Sequence, residues 1–374
     1  MGAEAWGRLA GTQPNDPTYN PFISFGFLSA LEESRSATAQ TGWIGSHLVA
    51  RNDDGNVDAV MPAYLKLHSQ GEYVFDHAWA DAFERAGGRY YPKFQSSIPF
   101  TPASAPKLLV AREGATAEAS DILASGAKAV VQKLGLSSAH ITFVDEAERT
   151  VLERNGYMAR HDQQFHWSND SYQSFAEFEN ELASRKRKQL RRERRDALAP
   201  GIEVEWLSGS DLKEEHWDAF FGFYQDTGAR KWGRPYLTRD FFSMIGERIA
   251  SSIVLMLAKR ENRYVAGALN FKGSDTLFGR HWGCSEHHPF LHFELCYYQA
   301  IDYAIAHGLK RVEAGAQGGH KLARGYTPVV TTSMHYIPHD GFRRAVQDFL
   351  SHEREQVLFE ADYLDKRTPF RKSC

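Results

Sequence analysis

The sequence predicts an α/β protein built from two domains. The chain has 374 residues, which exceeds the size of one typical domain and favours two. Short apolar strands alternate with helical segments through the first half, as in an α/β fold. The second half shows the same order of a helix, a strand hairpin, a strand, a helix and a strand, which indicates a duplicated fold.

Turn residues and helix-ending residues mark the elements of the first half. Segments 43–51 and 57–67 have strand patterns and flank the sequence Asn-Asp-Asp-Gly-Asn, whose turn chemistry predicts a hairpin. A helix is expected over 117–134, because a glycine, Gly135, ends its pattern. We place the N-terminal domain at residues 1–170.

The C-terminal domain is placed at residues 171–374. It opens with one basic helix over 172–199, which a Pro-Gly pair ends. Segments 253–260 and 264–272 then have strand patterns on either side of a short polar turn, which predicts a second hairpin.

Bulk composition excludes several classes of protein. The net charge is −3, so no overall basic field indicates a nucleic-acid-binding protein. The cysteines Cys284, Cys296 and Cys374 are too few and too scattered for a disulfide framework or a zinc site, and we expect no metal. Residues 1–20 lack the pattern of a signal peptide, and no apolar run is long enough to cross a membrane. We therefore expect a cytoplasmic protein that does not insert into a membrane.

Positive charge is concentrated in one short stretch. Residues 184–195 contain eight cations and one acid, Glu193, so their net charge is +7 in a chain whose total is −3. Like charges on one helix repel each other, so a helix here needs either an anionic partner or full solvation. We favour polyanion binding over a solvated face, with these candidates: Arg187, Lys188, Arg191 and Arg192.

Several blocks of the sequence resemble one bacterial family. The blocks are Asn20-Pro21-Phe22, Lys66 to Asp76 (KLHSQGEYVFD), Tyr90-Tyr91-Pro92-Lys93, Gly279 to Gly283 (GRHWG), Leu291 to Gln299 (LHFELCYYQ) and Gly315 to Lys321 (GAQGGHK). Their order and spread, from about Asn20 to the C-terminus, are similar to the FemAB-like branch of the GNAT superfamily. The resemblance implies two tandem GNAT-like domains, each with a mixed central sheet flanked by helices.

The resemblance also implies an activity. It points to an N-acyltransferase or aminoacyltransferase that moves an acyl or aminoacyl group onto an amine, with a peptidoglycan precursor as one candidate acceptor. Fem relatives use aminoacyl-tRNA as the donor. Other GNAT enzymes use acyl-CoA and hold its pyrophosphate on a glycine-containing loop.

The donor stays open between these co-substrates, and no tightly bound cofactor is expected. The segment that corresponds to the pyrophosphate loop, 285–291, contains no glycine. This departure favours aminoacyl-tRNA or another activated, anionic acyl donor. An acyl-CoA-dependent N-acetyltransferase and a non-catalytic binding module with the same fold are the alternatives.

The C-terminal domain contains the richest group of candidate site residues. Acyl transfer to an amine needs a proton acceptor, a group that stabilises the oxyanion and an acid for the leaving group. Catalytic candidates are His281 on a predicted strand and Glu294 and Tyr298, which are four apart on a predicted helix. Substrate-binding candidates are Arg280 and four residues of a glycine-rich loop: Gln317, His320, Lys321 and Arg324.

Simpler structural roles compete with these assignments. Glu294 suits the first turn of a helix, where an acid complements the helix dipole. The glycine-rich loop has the composition of a solvated basic loop, so we expect Lys321 to be exposed. The resemblance implies a functional role for Lys321, because it stands at the place of a lysine that faces the aminoacyl-tRNA end in Fem relatives.

The N-terminal domain adds four candidates. Lys66 and Lys93 are candidates for binding acceptor phosphates, and His68 and Asp76 are acid–base candidates. The resemblance implies that this domain takes part in holding the acceptor. A solvated surface is the alternative for all four residues, because their spacing alone is uninformative.

Overall fold

The structure is a computed structural model that describes residues 1–12, 16–111, 117–199, 201–232, 235–316 and 318–371. Its helices are α1 (Ala3–Ala10), α2 (Phe25–Glu33), α3 (His77–Arg85), α4 (Ala117–Leu134), α5 (Glu146–Arg154), α6 (Phe175–Glu181), α7 (Ser184–Leu198), α8 (Glu214–Trp232), α9 (Arg239–Arg248), α10 (Leu291–Phe293), α11 (Gln299–Ala306) and α12 (Asp340–Asp365). None of these helices combines the length and apolar character that crossing a membrane requires, as far as the described residues go.

The strands are short at the N-terminal end of the chain and longer towards the C-terminal end. They are β1 (Trp43–Gly45), β2 (Leu48–Arg51), β3 (Val57–Met61), β4 (Tyr64–Lys66), β5 (Lys93–Ser96), β6 (Leu109–Val110), β7 (Ala139–Val144), β8 (Met158–Ser168), β9 (Glu203–Leu207), β10 (Ile253–Arg260), β11 (Arg263–Lys272), β12 (Thr276–Cys284), β13 (Arg311–Glu313) and β14 (Thr327–Tyr336).

The chain divides into two compact units. Unit 1 comprises residues 1–162 and 330–360, and unit 2 comprises residues 163–329 and 361–374. Each unit contains parallel and antiparallel strand pairs with helices around them, so the predicted α/β fold class is confirmed. Among the described pairings, each unit contains a parallel pair, β5 with β7 in unit 1 and β12 with β13 in unit 2. This shared pairing pattern supports the duplication that the sequence indicates.

The sheet of unit 1 has one apolar face and one polar face. Its strand order is β1-β4-β5-β7-β14, and β2, β3 and β6 form a separate small sheet. Phe94, Ile141 and Met334 project from one face and pack with Leu123 and Val131 of α4 in a single buried cluster. Since successive side chains of a strand alternate between faces, the neighbours of these residues project from the other face. Those neighbours are mostly polar.

The sheet of unit 2 is built around a long hairpin. Its strand order is β8-β13-β12-β11-β10-β9. The β10–β11 turn consists of Glu261 and Asn262, which both have positive φ, at 50° and 60°. Two consecutive residues with positive φ are typical of the tight turns that suit twisted hairpins, and the predicted hairpin is confirmed.

The two strands of the parallel pair in unit 2 separate after three residues. β12 pairs with β13 only from Thr276 to Phe278. Beyond that point β12 stays with β11, and Arg280 is an extra residue between two paired positions, a β-bulge. The chain after β13 stays with β8 instead, because Ala314 N–H donates to the Phe165 carbonyl. A wedge therefore opens in the sheet beside the second half of β12.

The single helix predicted over 172–199 is wrong, because the structure has two helices there. α6 ends at Glu181 and α7 begins at Ser184. Between them Leu182 is extended, with a ψ of 146°, and forms an isolated bridge with Phe370. Ala183 N–H donates to the carbonyl of Pro369. The C-terminal segment thus supplies the backbone partners that a continuous helix would have supplied, and Leu182 is fully buried.

Gly325, at the end of the Lys321 segment, should tolerate no side chain. Its φ is +88°, and a Cβ there would lie 2.6 Å from the ring of Phe178. Both the backbone strain and the clash oppose Gly325→Ala, and we expect it to lower the free energy of unfolding by about 2–4 kcal/mol. Urea denaturation measures this loss. Gly201→Ala is the matched control, because its φ is +74° but its surroundings are open, so only about 1 kcal/mol should be lost. Equal losses in the two variants would contradict the packing argument.

Candidate active site

Lys321 lies in a short 3-10 segment, Gly319–Arg324, that follows β13 in unit 2. The expectation of an exposed loop lysine is wrong, because Lys321 is 4% exposed. Its Nζ donates to the backbone carbonyls of Ala314 at 2.5 Å and Gly315 at 3.0 Å. Burial lowers the pKa of the Lys321 ammonium to about 8. Another predicted member of this loop, Gln317, lies outside the described residues.

Arg324, at the end of the same segment, is buried in an ion pair. Its Nη2 lies 2.8 Å from Oε2 of Glu193, and both side chains are nearly inaccessible to solvent. The hydroxyl of Tyr298 donates to the same carboxylate oxygen at 2.5 Å. The guanidinium carbon of Arg324 lies 3.4 Å from the centre of the Phe293 ring, a stacking contact that a planar guanidinium makes well. These contacts fix the Lys321 segment against α7.

Arg194, the next residue of α7, makes a second set of ionic contacts. Its Nη2 and Nε lie 2.9 and 3.2 Å from the two carboxylate oxygens of Glu294. The same Nη2 is 2.6 Å from Oδ2 of Asp302. Two adjacent residues of α7 therefore contact the helix that follows β12 and, through Arg324, the segment that follows β13.

Residues 291–306 form one continuous helix that contains a π-helical turn at Glu294–Tyr298. Glu294 and Tyr298 are four residues apart, but the predicted α-helical turn between them is a π turn, which is wider than an α turn. It instead places Gln299 next to Glu294, with Nε2 donating to Oε1 at 2.8 Å. Isolated π turns often occur at functional sites.

The predicted catalytic residues of unit 2 are held in contacts with other protein groups. Glu294 is fully buried and accepts from Arg194 and Gln299. Burial raises the pKa of Tyr298 far above its usual value, so its hydroxyl stays protonated. Burial lowers the pKa of His281 to about 3, and its ring packs 5.1 Å from that of Tyr224 in α8. Among Tyr298, His281 and Lys321, only Lys321 has a pKa near neutrality, at about 8.

Four predicted residues of unit 1 also lie close together, at one end of its sheet. Lys93 is fully buried, and its Nζ donates to Asp76 at 2.5 Å, to Glu72 at 2.6 Å and to Ser69 at 3.0 Å. The hydroxyl of Tyr90 donates to Asp76 at 2.6 Å. Lys93 therefore holds the pKa of Asp76 far below its usual value, although burial alone would raise it.

Lys66 projects beside Lys93, since the two residues are opposite each other on β4 and β5. Its Nζ lies 3.7 Å from the centre of the Trp43 ring and donates to the Gln70 carbonyl at 2.9 Å. Burial lowers the pKa of Lys66 to about 7. His68 is half-buried, with Nε2 3.0 Å from the Thr41 carbonyl, and burial followed by the Lys66 charge lowers its pKa.

The polar face of the unit 1 sheet continues beyond these charged groups. Gln95 follows Lys93 on the same face of β5 and is opposite His140 on β7. His140 is opposite His335 of β14, and their Nδ1 atoms are 2.6 Å apart. Sequence reasoning missed this face, because Gln95, His140 and His335 belong to three separate segments. The alternation of polar residues along each strand was the available signal.

The basic helix α7 divides its charges between two sides. Glu193 and Arg194 make the buried contacts described above. Arg191 is partly neutralised by Glu179 at 2.9 Å, and Arg187 donates to Asn180 at 3.0 Å. The exposed cations Arg185, Lys188 and Arg192 are spaced three and four residues apart, so they share one face. Within the described residues these three have no ion pair. We call them the cation row.

The structure thus brings the candidates together in two groups, one in each unit. The unit 2 group contains Glu294, Tyr298, His320, Lys321 and Arg324, with a hydrogen bond of 2.9 Å between His320 and Tyr297. Arg280 and His281 lie on β12 beside the wedge. Sequence reasoning missed Glu193, which appeared only as the single acid of a basic run. Its spacing of three from buried Leu190 was a usable sign of an inward position.

Comparison with known proteins assigns the family. The FemAB-like family profile, described as peptidoglycan biosynthesis/recognition, matches residues 1–372, so the chain belongs to the FemAB-like family. This membership agrees with the mixed α/β architecture that the strand pairing shows. No curated protein sequence matches the chain.

Similar solved structures cover nearly the whole chain. The crystal structure of FemX is similar over 93% of this chain and 98% of its own, with 13% identity and a TM-score of 0.56. The structure of L-PGS from Bacillus licheniformis is similar over 86% of this chain and 92% of its own, with 10% identity and a TM-score of 0.51. A conserved protein from Bacteroides thetaiotaomicron covers 90% of this chain and 98% of its own, with 10% identity and a TM-score of 0.54. At these identities the similarity concerns the fold.

Removing Glu193 should strongly destabilise the protein. Glu193→Ala leaves the buried Arg324 charge without its partner, which should cost about 3–5 kcal/mol. Chemical denaturation followed by circular dichroism measures the cost. Glu203→Ala is the control, because Glu203 is exposed and its loss should change stability by less than about 0.5 kcal/mol. A cost for Glu193→Ala as small as that of the control would show that the ion pair is not needed.

Proposed function

We propose that this protein transfers an aminoacyl group from aminoacyl-tRNA to an amine of a peptidoglycan precursor. The observation that carries the proposal is Lys321, a buried lysine fixed by two backbone carbonyls next to the wedge between β12 and β13. The description of the family as peptidoglycan biosynthesis/recognition supports the acceptor. The similarity to the FemX fold agrees with the same class of reaction.

Lys321 has suitable chemistry for the transfer step. The acceptor amine attacks the ester carbonyl of the donor, negative charge develops on the carbonyl oxygen, and the ribose hydroxyl leaves with a proton. Two N–H groups of the Lys321 ammonium are held by Ala314 and Gly315. The third N–H remains to donate to the oxyanion or the leaving oxygen. In a desolvated position such a donor stabilises developing charge strongly.

The segment after β12 supports an aminoacyl-tRNA donor over acyl-CoA. A pyrophosphate needs several backbone N–H groups that point towards it at the start of a helix. Pro289 has no N–H, and the N–H of Leu291 already donates to the His288 carbonyl. The cation row on α7 adds the exposed positive charge that a polynucleotide requires.

Loss of Lys321 should abolish transfer more than it affects folding. Lys321→Met keeps the side-chain length without the charge, and we expect kcat/KM to fall on the order of 10²–10³-fold, as for the loss of one oxyanion donor. The assay measures transfer from charged total tRNA to a UDP-linked muropeptide. Lys310→Met, which removes an exposed lysine, is the control. Normal activity of Lys321→Met would remove the basis of the proposal.

The pH dependence tests the charge state of Lys321. Its pKa is lowered to about 8, so the ammonium form dominates below pH 8 and is lost as the pH rises through that value. If the ammonium is the active form, activity falls above about pH 8. Lys321→Arg keeps its charge there, so any activity it retains should not show this fall. Wild-type activity that instead rises through pH 8 would make the neutral amine, and thus a base, the active form.

Salt dependence tests the cation row. Each phosphate contact contributes a slope of about −0.7 to −0.9 to log affinity against log salt. Replacing Arg185, Lys188 and Arg192 by Gln should therefore flatten the slope for tRNA by about 2–3 units, while Gln preserves helix propensity. Filter binding at several salt concentrations measures the slopes. The control replaces three exposed cations of unit 1 by Gln: Arg89, Lys133 and Arg344. Equal slopes in wild type and the α7 variant would show that the row is only solvated.

A further inference from the structure

Unit 2 contains a pocket of about 420 Å³ beside the start of the helix that follows β12. Its walls come from the end of β12, the loop after it and the first helical turn: Trp282, Cys284, His288, Phe290, His292 and Phe293. The volume lies in the range of small-molecule sites, which are usually lined by aromatic groups with few polar ones. The four wall residues 282, 290, 292 and 293 are half-buried, so their rings remain accessible.

The rings of this pocket form a connected set of aromatic surfaces. The ring centres of Trp282 and His292 are 5.2 Å apart, those of His292 and Phe293 are 5.6 Å apart, and those of Phe290 and Phe293 are 6.3 Å apart. Phe290 has a positive φ of 63°, which is rare and unfavourable for a large residue. The ring of Phe290 thus lines the pocket although its backbone conformation is strained.

One wall residue of the pocket, Glu286, belongs to a cluster of charged side chains. Glu286 accepts from Arg260 at 2.9 Å, lies 3.5 Å from Arg263 and is 3.0 Å from Nε2 of His288. Arg260 also lies 3.6 Å from Glu261, so two arginines and two carboxylates balance one another in this cluster. The pocket therefore offers aromatic surfaces and no excess charge, and a planar ring such as a nucleobase is the group that stacks on such walls.

The pocket adjoins the Lys321 segment. The ring centre of His292 is 6.2 Å from that of His320, and the ring centre of Phe293 is 5.5 Å from it. His320 directly precedes Lys321. The rings of His292 and Phe293 therefore contact both a ligand group in the pocket and the segment that contains Lys321.

We infer that this pocket stacks the terminal nucleobase of the acyl donor. In aminoacyl-tRNA the reacting ester is on the 3′-terminal adenosine, so holding that base fixes the ester near Lys321. Bases stack on tryptophan, phenylalanine and histidine rings without needing a fixed sequence. That the base belongs to tRNA rests on the proposed function. CoA also contains an adenine nucleotide, and the experiment distinguishes a tRNA donor from CoA.

The experiment compares three probes on the wild-type protein. They are an acceptor-stem RNA minihelix that ends in CCA, the same minihelix that ends in CC, and CoA. We expect the CCA form to bind about 5- to 150-fold more tightly than the CC form, the range for one base–aromatic stack. This comparison needs no variant, so it holds even if a pocket substitution fails to fold.

Variants then locate the base. Trp282→Leu should remove the preference for CCA, whereas Trp282→Phe keeps a ring and should retain most of it. Phe359→Leu, which removes an exposed ring of α12 in unit 1, should bind both minihelices like wild type. Circular dichroism confirms that each variant is folded. A CCA preference that survives in Trp282→Leu would overturn the pocket as the site of the base.

The remaining outcomes separate this inference from the proposed function. Equally tight binding of the CCA and CC minihelices by wild type would overturn the base pocket and leave the tRNA donor in place. Binding of CoA alone, with loss in Trp282→Leu, would support the base pocket and overturn the tRNA donor. Absence of binding by all three probes would overturn both.

Discussion

Two neighbouring residues of α7, Glu193 and Arg194, hold the candidate site of unit 2 together. Glu193 pairs with Arg324 at the end of the Lys321 segment, and Arg194 pairs with Glu294 on the π turn. Each pair joins α7 to a different side of the wedge in the sheet. Both pairs are buried or nearly so, which makes each partner necessary once the other is present. The position of Lys321 depends on this double attachment.

The same helix explains how a strongly basic run can fold. Its inward cation, Arg194, is neutralised by two acids of the helix that follows β12, and the one acid of the run, Glu193, neutralises a distant arginine. The outward cations are solvated and lie on one face. Charge repulsion along α7 is therefore reduced where the helix is buried and tolerated where water screens it. Because its charges are divided in this way, α7 both connects other elements of unit 2 through ion pairs and presents a positively charged surface.

Much of the fold follows from local sequence signals, whereas the site depends on distant contacts. The β10–β11 hairpin is predictable because Glu261 and Asn262 separate two strand patterns. Lys321 is identifiable only through the family resemblance, and its burial is not predictable from a Gly-Gly-His-Lys sequence that has loop composition. Its partners are carbonyls of the preceding strand's extension. Glu193 meets its partner 131 residues further along the chain, which no local pattern encodes. Leu182 fits the apolar stripe of a continuous helix, so its bridge to Phe370 could not be predicted either.

The buried charges of unit 1 restrict how this protein can change over generations. Lys66, Lys93, Glu72 and Asp76 share one enclosed network. Loss of one member leaves an opposite charge buried without a partner, which costs about 3–5 kcal/mol. This cost is a large part of the free energy of unfolding of a typical domain, about 5–15 kcal/mol. Single substitutions here are therefore poorly tolerated, while a paired change that keeps the balance is far less costly. Among descendants of this sequence the four positions should covary, so that a lost lysine is accompanied by a lost carboxylate.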